Sequence, residues 1–262
     1  MLPTEYYSRK YIGYLIYQNA LNRDFSLITP DRTKMSRGHK IVNTVRFNRI
    51  LEITGIDKNK FNLYRSLAKL RNIPDFTWNF KERSEETKGW YSNQYVNEIY
   101  EYDLFLDFDK EEEDSWEELL NEVINFTKKF DKFKVPYYVL FSGRRGFQVI
   151  IDGKYIPIKD TTLKSIFPHK TIVEKIEKYF GLKFLDTSGN GVYSKLCKIP
   201  YSLVGDNVVL PLTPEQLYNF KIEDMNINEV MKLPLMNRGV IQRKGDSNTT
   251  QTFIKSLDIF TL

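Results

Sequence analysis

The spacing of apolar positions changes several times along the chain, and each change marks an element. Between Tyr6 and Ala20, aromatic and apolar residues recur at helical intervals. From Asn22 to Ile53, short β-like runs such as Phe25-Ser-Leu-Ile alternate with polar turns. Asp57 to Asn72 puts Phe61, Tyr64, Leu67 and Leu70 on one side of a predicted helix. Asn79 to Asn97 is polar and charged and predicts a loop. Beyond Glu101 the pattern sharpens. Tyr102 to Asp109 reads as a strand ending in acid, and Ser115 with Glu118 forms a capping-box signature. The helix it opens carries Trp116, Leu119, Leu120, Val123, Ile124 and Phe130 along one stripe. A strand over Tyr137–Phe141, a turn over Ser142–Gly146 and a strand over Phe147–Ile151 come next. Pro168 opens another helix with Ile172, Val173, Ile176, Tyr179 and Phe180 on its buried face, and a strand near Lys183–Leu185 leads into Asp186.

The order strand, helix, strand, tight turn, strand, helix, strand suits an antiparallel sheet with helices on one face. That is an α+β core of the RRM-like kind. The tail Phe253–Leu262 is more apolar than a free terminus usually is, so it docks either on its own domain or on a partner. No apolar run approaches the roughly 18–20 residues that span a bilayer, so no membrane partner is expected. The start shows no basic region followed by an apolar core, and the expected location is the cytoplasm. Cys197 is the sole cysteine, and His39 and His169 are the only histidines, so no intrachain disulfide and no structural zinc site are expected.

Charge adds one feature. The chain carries 39 basic and 34 acidic residues, a net charge of +5. Eight of the acids lie between Glu101 and Asp114, with only Lys110 as a counterweight. A basic body with one acidic spot suits a nucleic-acid enzyme with a cation site, and equally a basic protein with a solvated acidic loop.

Three segments carry candidate chemistry. Asp107 and Asp109, two apart on a strand, point to the same face. Two adjacent carboxylates repel, and a divalent cation between them removes that cost. A strand end whose acids meet water has the same sequence. Next, Ser142-Gly-Arg-Arg-Gly-Phe-Gln148 offers a glycine-flanked turn whose arginine forks match phosphate oxygens, with Gln148 as a further donor. Alone, it is also a plain hairpin turn. Finally, Asp186 supplies a possible third carboxylate, and Lys198 and Ser202 could meet triphosphate oxygens. A turn aspartate and a surface lysine would look no different.

Taken together and in order, these segments resemble the three motifs of the archaeo-eukaryotic primase superfamily, and within it the catalytic small subunit of DNA primase. Leu104-Phe-Leu-Asp-Phe-Asp109 is similar to the first motif, a hydrophobic strand ending Asp-x-Asp. Phe141-Ser-Gly-Arg-Arg-Gly-Phe-Gln148 is similar to the second, Ser-Gly-x-Arg-Gly-x-His. Leu185-Asp186, then Lys198-Ile-Pro-Tyr-Ser-Leu and Val208-Val-Leu-Pro-Leu212, resemble the third and the strand beyond it. Upstream, Arg23-Asp24-Phe25 and Met35-Ser-Arg37 resemble an Arg-Glu-Phe element and a following arginine near the nucleotide. The likeness covers residues 5–215.

The resemblance implies one primase catalytic domain over residues 1–262. It would comprise an N-terminal α/β unit (1–100), a motif-bearing core (101–215) and a C-terminal extension (216–262). Asp107, Asp109 and Asp186 would be the catalytic, metal-binding acids, holding two Mg²⁺ or Mn²⁺ ions. Ser142, Arg144, Arg145, Gln148, Lys198, Ser202 and Arg37 would bind the nucleotide. The implied activity is metal-dependent, template-directed nucleotidyl transfer, making RNA or mixed primers for replication. Implied partners are single-stranded DNA, nucleoside triphosphates and a primase large subunit. The chain departs from the pattern at three points: Gln148 and Val204 stand where the family has histidines, and the zinc knuckle cannot be built from one cysteine. These departures keep two alternatives open. One is a primase-polymerase or end-joining polymerase of the same superfamily. The other is a catalytically inactive, primase-like nucleic-acid-binding subunit.

Overall fold

The computed structural model describes residues 1–31, 33, 35–39, 51–52, 55–57, 60–73, 95–156, 169–188, 195–234 and 245–257. Helices α1 (Pro3–Tyr7) and α2 (Lys10–Ala20) precede β1 (Phe25–Ile28), β2 (Met35–His39) and β3 (Asn62–Ser66). Strands β4 (Ala68–Leu70) and β5 (Ile99–Tyr102) pair antiparallel. The motif-bearing stretch runs β6 (Leu104–Asp109), α3 (Trp116–Phe133), β7 (Tyr138–Phe141), β8 (Gly146–Ile151), α4 (His169–Phe180) and β9 (Leu185–Asp186). After it come β10 (Leu196–Lys198), β11 (Leu203–Val204), β12 (Asn207–Val208) and β13 (Pro211–Leu212). Helices α5 (Pro214–Tyr218), α6 (Ile227–Val230) and α7 (Ser247–Ser256) follow. The protein is α+β.

A five-stranded antiparallel sheet, ordered β13-β7-β8-β6-β9, forms the centre. Side-chain alternation gives its two faces different partners. Leu104, Leu106 and Phe108 of β6 join Phe147 and Val149 of β8 in the larger core, with residues of α3 and α4. Aromatic contacts fix the helices there: Phe108 lies 5.4 Å from Phe126, and Trp116 6.1 Å from Phe147. On the other face, Phe105, Leu140 and Ile150 cluster with Leu67, Ala68 and Cys197. Cys197 belongs to a second sheet, four strands in the order β10-β3-β1-β2. The helices cover one face, and the second sheet approaches the other.

Several expectations change. Residues 57–72 contain strands, not a helix. Phe61, Leu63, Arg65 and Leu67 are buried while Asn62 and Tyr64 are partly exposed, so the period is two; picking Phe61, Tyr64 and Leu67 mistook it for three. The strand expected over Tyr102–Asp109 breaks at Asp103 into β5 and β6. Ser115 caps α3 by accepting from the Glu117 amide at 3.1 Å, while Glu118 meets Lys183 at 3.3 Å instead of closing a capping box. Tyr179 is 57% exposed instead of facing the core. The loop expected over Asn79–Asn97 lies largely outside the described residues, and Tyr95, Val96 and Asn97 are helical. Of the tail, Phe253 and Ile254 are buried, Phe253 stacking near Phe130, Phe133 and Phe180 at 5.0, 5.3 and 6.2 Å. The described part of the tail, Phe253 to Leu257, packs on the protein's own core; the rest lies outside the described residues.

The two sheets meet over a buried polar network. Arg23 pairs with Asp103 at 2.8 Å, with side chains 3% and 0% exposed. Arg65 of β3 reaches Asp103 at 3.5 Å and donates to the Tyr138 hydroxyl of β7 at 2.6 Å. Asp103 also accepts from the Gly153 amide at 2.9 Å. Removing one member of such a network leaves the others charged and dry. Asp103→Ala is therefore expected to cost about 3–5 kcal/mol in urea unfolding; a loss below about 1 kcal/mol would mean the network does not hold the sheets together.

Candidate active site

The cleft-facing side of β6 and its neighbours gathers most of the candidate residues. Asp107 sits directly across from Asp186 of β9 on one side and from Gln148 of β8 on the other. Cross-strand partners share a face, so these three line up across the sheet, with Asp109 two positions along. Burial, and then Asp109, push the Asp107 carboxyl up from 3.8 to about 7. Gln148 donates to Asp107 Oδ1 at 3.3 Å, and its own buried carbonyl oxygen has no partner among the described residues.

The turn after β7 is set by two glycines. Gly143 has φ +89, and a Cβ there would lie 2.8 Å from Val204 Cβ. At Gly146 a Cβ would collide with the Phe108 carbonyl oxygen and the Asp109 carboxylate. The turn is thereby pressed onto β6 and β11. Arg144 and Arg145 are both exposed at its tip. Arg145 Nε meets Asp109 Oδ2 at 3.1 Å, and its guanidinium lies 3.7 Å from Glu111. Ser142 and Ser202 are buried, and neither hydroxyl has a hydrogen-bond partner among the described residues.

Strand β10 brings cations over the acids. Lys198 donates to the Ser142 carbonyl at 2.6 Å. Burial lowers its pKa, against the pull of Asp107 and Asp109. Lys195, just before the strand, lies 5.0 Å from the Phe105 ring, and its pKa is also lowered by burial while Asp107 and Asp186 oppose the shift. Sequence reading missed Lys195. Its only signal was a three-residue offset from Lys198, which does not fix which face of an irregular segment it occupies. Arg37 falls on β2, where side chains lie outside the described residues.

The acidic window does not act as one spot. Glu101 pairs with Lys69 at 2.6 Å, Asp103 with Arg23 at 2.8 Å, and Asp114 with Lys183 at 3.0 Å. Of the eight acids, Asp107 and Asp109 are the ones that share the cleft with Asp186. For a divalent cation, hard oxygen donors on one face suit the ion, and the raised Asp107 pKa is the cost such a charge would relieve. The side chains are not yet arranged for it. Asp186 Oδ1 accepts from the Ser188 amide at 2.7 Å, and Arg145 holds Asp109 at 3.1 Å. Among the described residues no three metal-ligating side chains converge. A cavity of about 330 Å³, lined by Arg23, Arg65, Lys69, Tyr100, Tyr138 and Asp152 among others, opens near Asp103, and none of the candidate residues lines it.

By sequence, the chain matches no family model and no curated protein. By structure, it is similar to the polymerase domain of Mycobacterium tuberculosis Ligase D in complex with DNA, with a TM-score of 0.52 at 13% identity. The match covers 97% of this chain and 88% of that one. The two share a fold. Among the described residues, no helix is long and apolar enough to cross a membrane.

The Asp107 carboxyl gives this site a pH signature. Its folded pKa of about 7 lies above the ordinary 3.8, so the fold binds the proton more tightly than the unfolded chain does. Stability is unaffected below the ordinary value, falls as pH rises between the two, and carries the full cost above the higher one. Asp107→Asn is expected to stabilise the fold at pH 8 by on the order of 1 kcal/mol and to be neutral near pH 4. Thermal melts at both pH values check this; equal effects at the two would refute the buried-charge account.

Proposed function

We propose that the protein is a template-directed nucleotidyltransferase of the archaeo-eukaryotic primase type. One observation carries the reading: Asp107, Asp109 and Asp186 share a face of the central sheet, opposite Lys195 and Lys198 and beside the Ser142–Gly146 turn. Acids on one wall and cations on the other suit a substrate whose triphosphate is anionic and whose transfer needs metal ions. The likeness to a polymerase domain in complex with DNA supports it at the level of fold.

Asp107, Asp109 and Asp186 would hold divalent cations such as Mg²⁺ or Mn²⁺. Bound there, such ions supply charge neutralisation for the departing pyrophosphate and acidify the attacking hydroxyl. The oxygen of a 3′-hydroxyl gives up its proton to solvent and bonds to the α-phosphorus, the α–β bridge breaks, and pyrophosphate leaves. Lys198, Lys195, Arg144 and Arg145 offset the negative charge of the β and γ phosphates. Arg145 is 52% exposed, so it can leave Asp109 for a phosphate without unpacking anything. The buried hydroxyls of Ser142 and Ser202 have no partner among the described residues and would donate to phosphate oxygens, whereas the oxygen of Gln148 only accepts and would take a donor from the nucleotide's sugar or base.

The motif resemblance favours de novo primer synthesis by a small subunit working with a large one. The fold likeness to the polymerase domain of Ligase D is equally consistent with extension of existing ends. The described part of the tail gives no support for a partner, because Phe253 and Ile254 are buried in the protein's own core. Incubation with unprimed and primed single-stranded DNA, using ribonucleotides and deoxynucleotides separately, distinguishes the two.

Asp109→Ala is expected to abolish nucleotide incorporation while the protein stays folded; synthesis by a folded, purified variant would remove the metal-acid mechanism. Gln148→His is expected to lower the Michaelis constant for nucleotide by roughly tenfold, because a cationic donor strengthens phosphate binding. No change would show that the glutamine is no deficit.

A further inference from the structure

The segment from Lys198 to Asn207 grips the Ser142–Gly146 turn at three places. Lys198 donates to the Ser142 carbonyl at 2.6 Å, and Asn207 to the Gly143 carbonyl at 3.2 Å. Between them, Val204 fills the space where a Gly143 side chain would be. The position of this segment therefore sets the position of the turn.

The middle of the segment is strained. Tyr201 has φ +68, a left-handed conformation that a bulky residue seldom adopts. Backbone bonds hold it there, from the Tyr201 amide to the Val209 carbonyl at 2.7 Å and from the Val209 amide to the Ser202 carbonyl at 2.8 Å, and two tyrosines of the first helix add to them. Tyr6 donates its hydroxyl to the Tyr201 carbonyl at 2.9 Å. The Tyr7 hydroxyl accepts from the Leu203 amide at 2.8 Å. Both bonds are buried, and they bracket Ser202, whose own hydroxyl is buried without a partner among the described residues. The phenols cannot wander: the Tyr6 and Tyr7 rings meet edge-on at 5.4 Å, and Tyr7 stacks on Phe61 at 5.3 Å.

We infer that Tyr6 and Tyr7 are positioning residues for nucleotide binding, holding Ser202 and the arginine turn in register from the other end of the chain. This rests on the nucleotidyltransferase reading. Neither tyrosine touches the substrate. Each acts through the backbone of residues 201–203, which passes the constraint to Ser142 and Gly143.

Tyr→Phe at either position keeps the ring and removes only the hydroxyl bond. With Mn²⁺ and a non-hydrolysable deoxynucleoside triphosphate analogue, Tyr7→Phe is expected to raise the nucleotide dissociation constant roughly tenfold, with Tyr6→Phe weaker by a similar order. Affinity for a single-stranded DNA oligonucleotide should stay unchanged. If the wild-type protein binds neither this analogue nor its ribonucleoside counterpart, the nucleotidyltransferase reading itself fails. If the wild type binds and both variants bind equally well, the positioning role is overturned. Parallel loss of DNA and nucleotide affinity also overturns it, since that is general loosening. Should the variants not fold, hydrogen exchange on the wild-type protein decides. The Leu203 amide is expected to be protected and to gain further protection with nucleotide, and rapid exchange indifferent to nucleotide would refute the inference.

Discussion

One buried carboxylate ties the two sheets together. Asp103 has no exposed surface, and it receives Arg23, Arg65 and the Gly153 amide. It stands immediately before β6, so whatever holds it fixes where the strand bearing Asp107 and Asp109 begins. Arg65 sits directly across from Cys197 of β10, next to Lys198. A single ionic knot thus anchors the roots of both walls of the cleft. Hydrophobic burial on its own would let the sheets slide, because apolar contact has no preferred direction. The knot has one.

Above the knot, the cleft stores unfavourable electrostatics. Asp107 is pushed up to about 7 by burial and by Asp109, and burial pushes Lys195 and Lys198 down. Acid and base partly compensate each other, but burial remains the leading cause of every one of these shifts. An ordinary structural ion pair relaxes toward close contact with its partner, as Arg23 and Asp103 do at 2.8 Å. Groups left half-compensated on a cleft floor are better matched by a charged ligand than by one another. The same logic covers the unpaired hydroxyls of Ser142 and Ser202.

The core of the fold was legible because its residues obey one period at a time. Leu104, Leu106 and Phe108 alternate cleanly with Phe105, Asp107 and Asp109, and α3 carries a clear stripe. Residues 61–67 were misread because Phe61 and Leu67 satisfy both a strand and a helix pattern, and only Leu63 and Arg65 break the tie. Arg65 is buried for its charge partners, a tertiary fact that no local pattern carries. Lys195 was invisible for a related reason. Its place beside Asp107 comes from the pairing of β10 with β3, which joins parts of the chain far apart in sequence. The acidic window stayed open in the sequence, since charge counting cannot tell Asp103, paired with buried arginines, from Asp107, which faces Lys195 and Lys198 and accepts from Gln148.

Rigidity and freedom are divided sharply across the site. Gly146 lies so close to β6 that no side chain fits, and Gly143 packs on Val204, so the turn cannot shift unless β6 or β11 shifts with it. The backbone that would face phosphates is therefore fixed by packing before any ligand arrives, and little ordering entropy is left to lose on binding. The mobile part is a side chain. Arg145, half-exposed and shared between Asp109 and Glu111, can exchange one anion for another within a frame that stays still. While it pairs with Asp109, it competes for the same oxygens that a divalent cation would use. Nucleotide phosphates that draw the guanidinium away would at the same time free that carboxylate. On the proposed function, metal and nucleotide would occupy the cleft cooperatively, because each would remove an ionic partner that opposes the other.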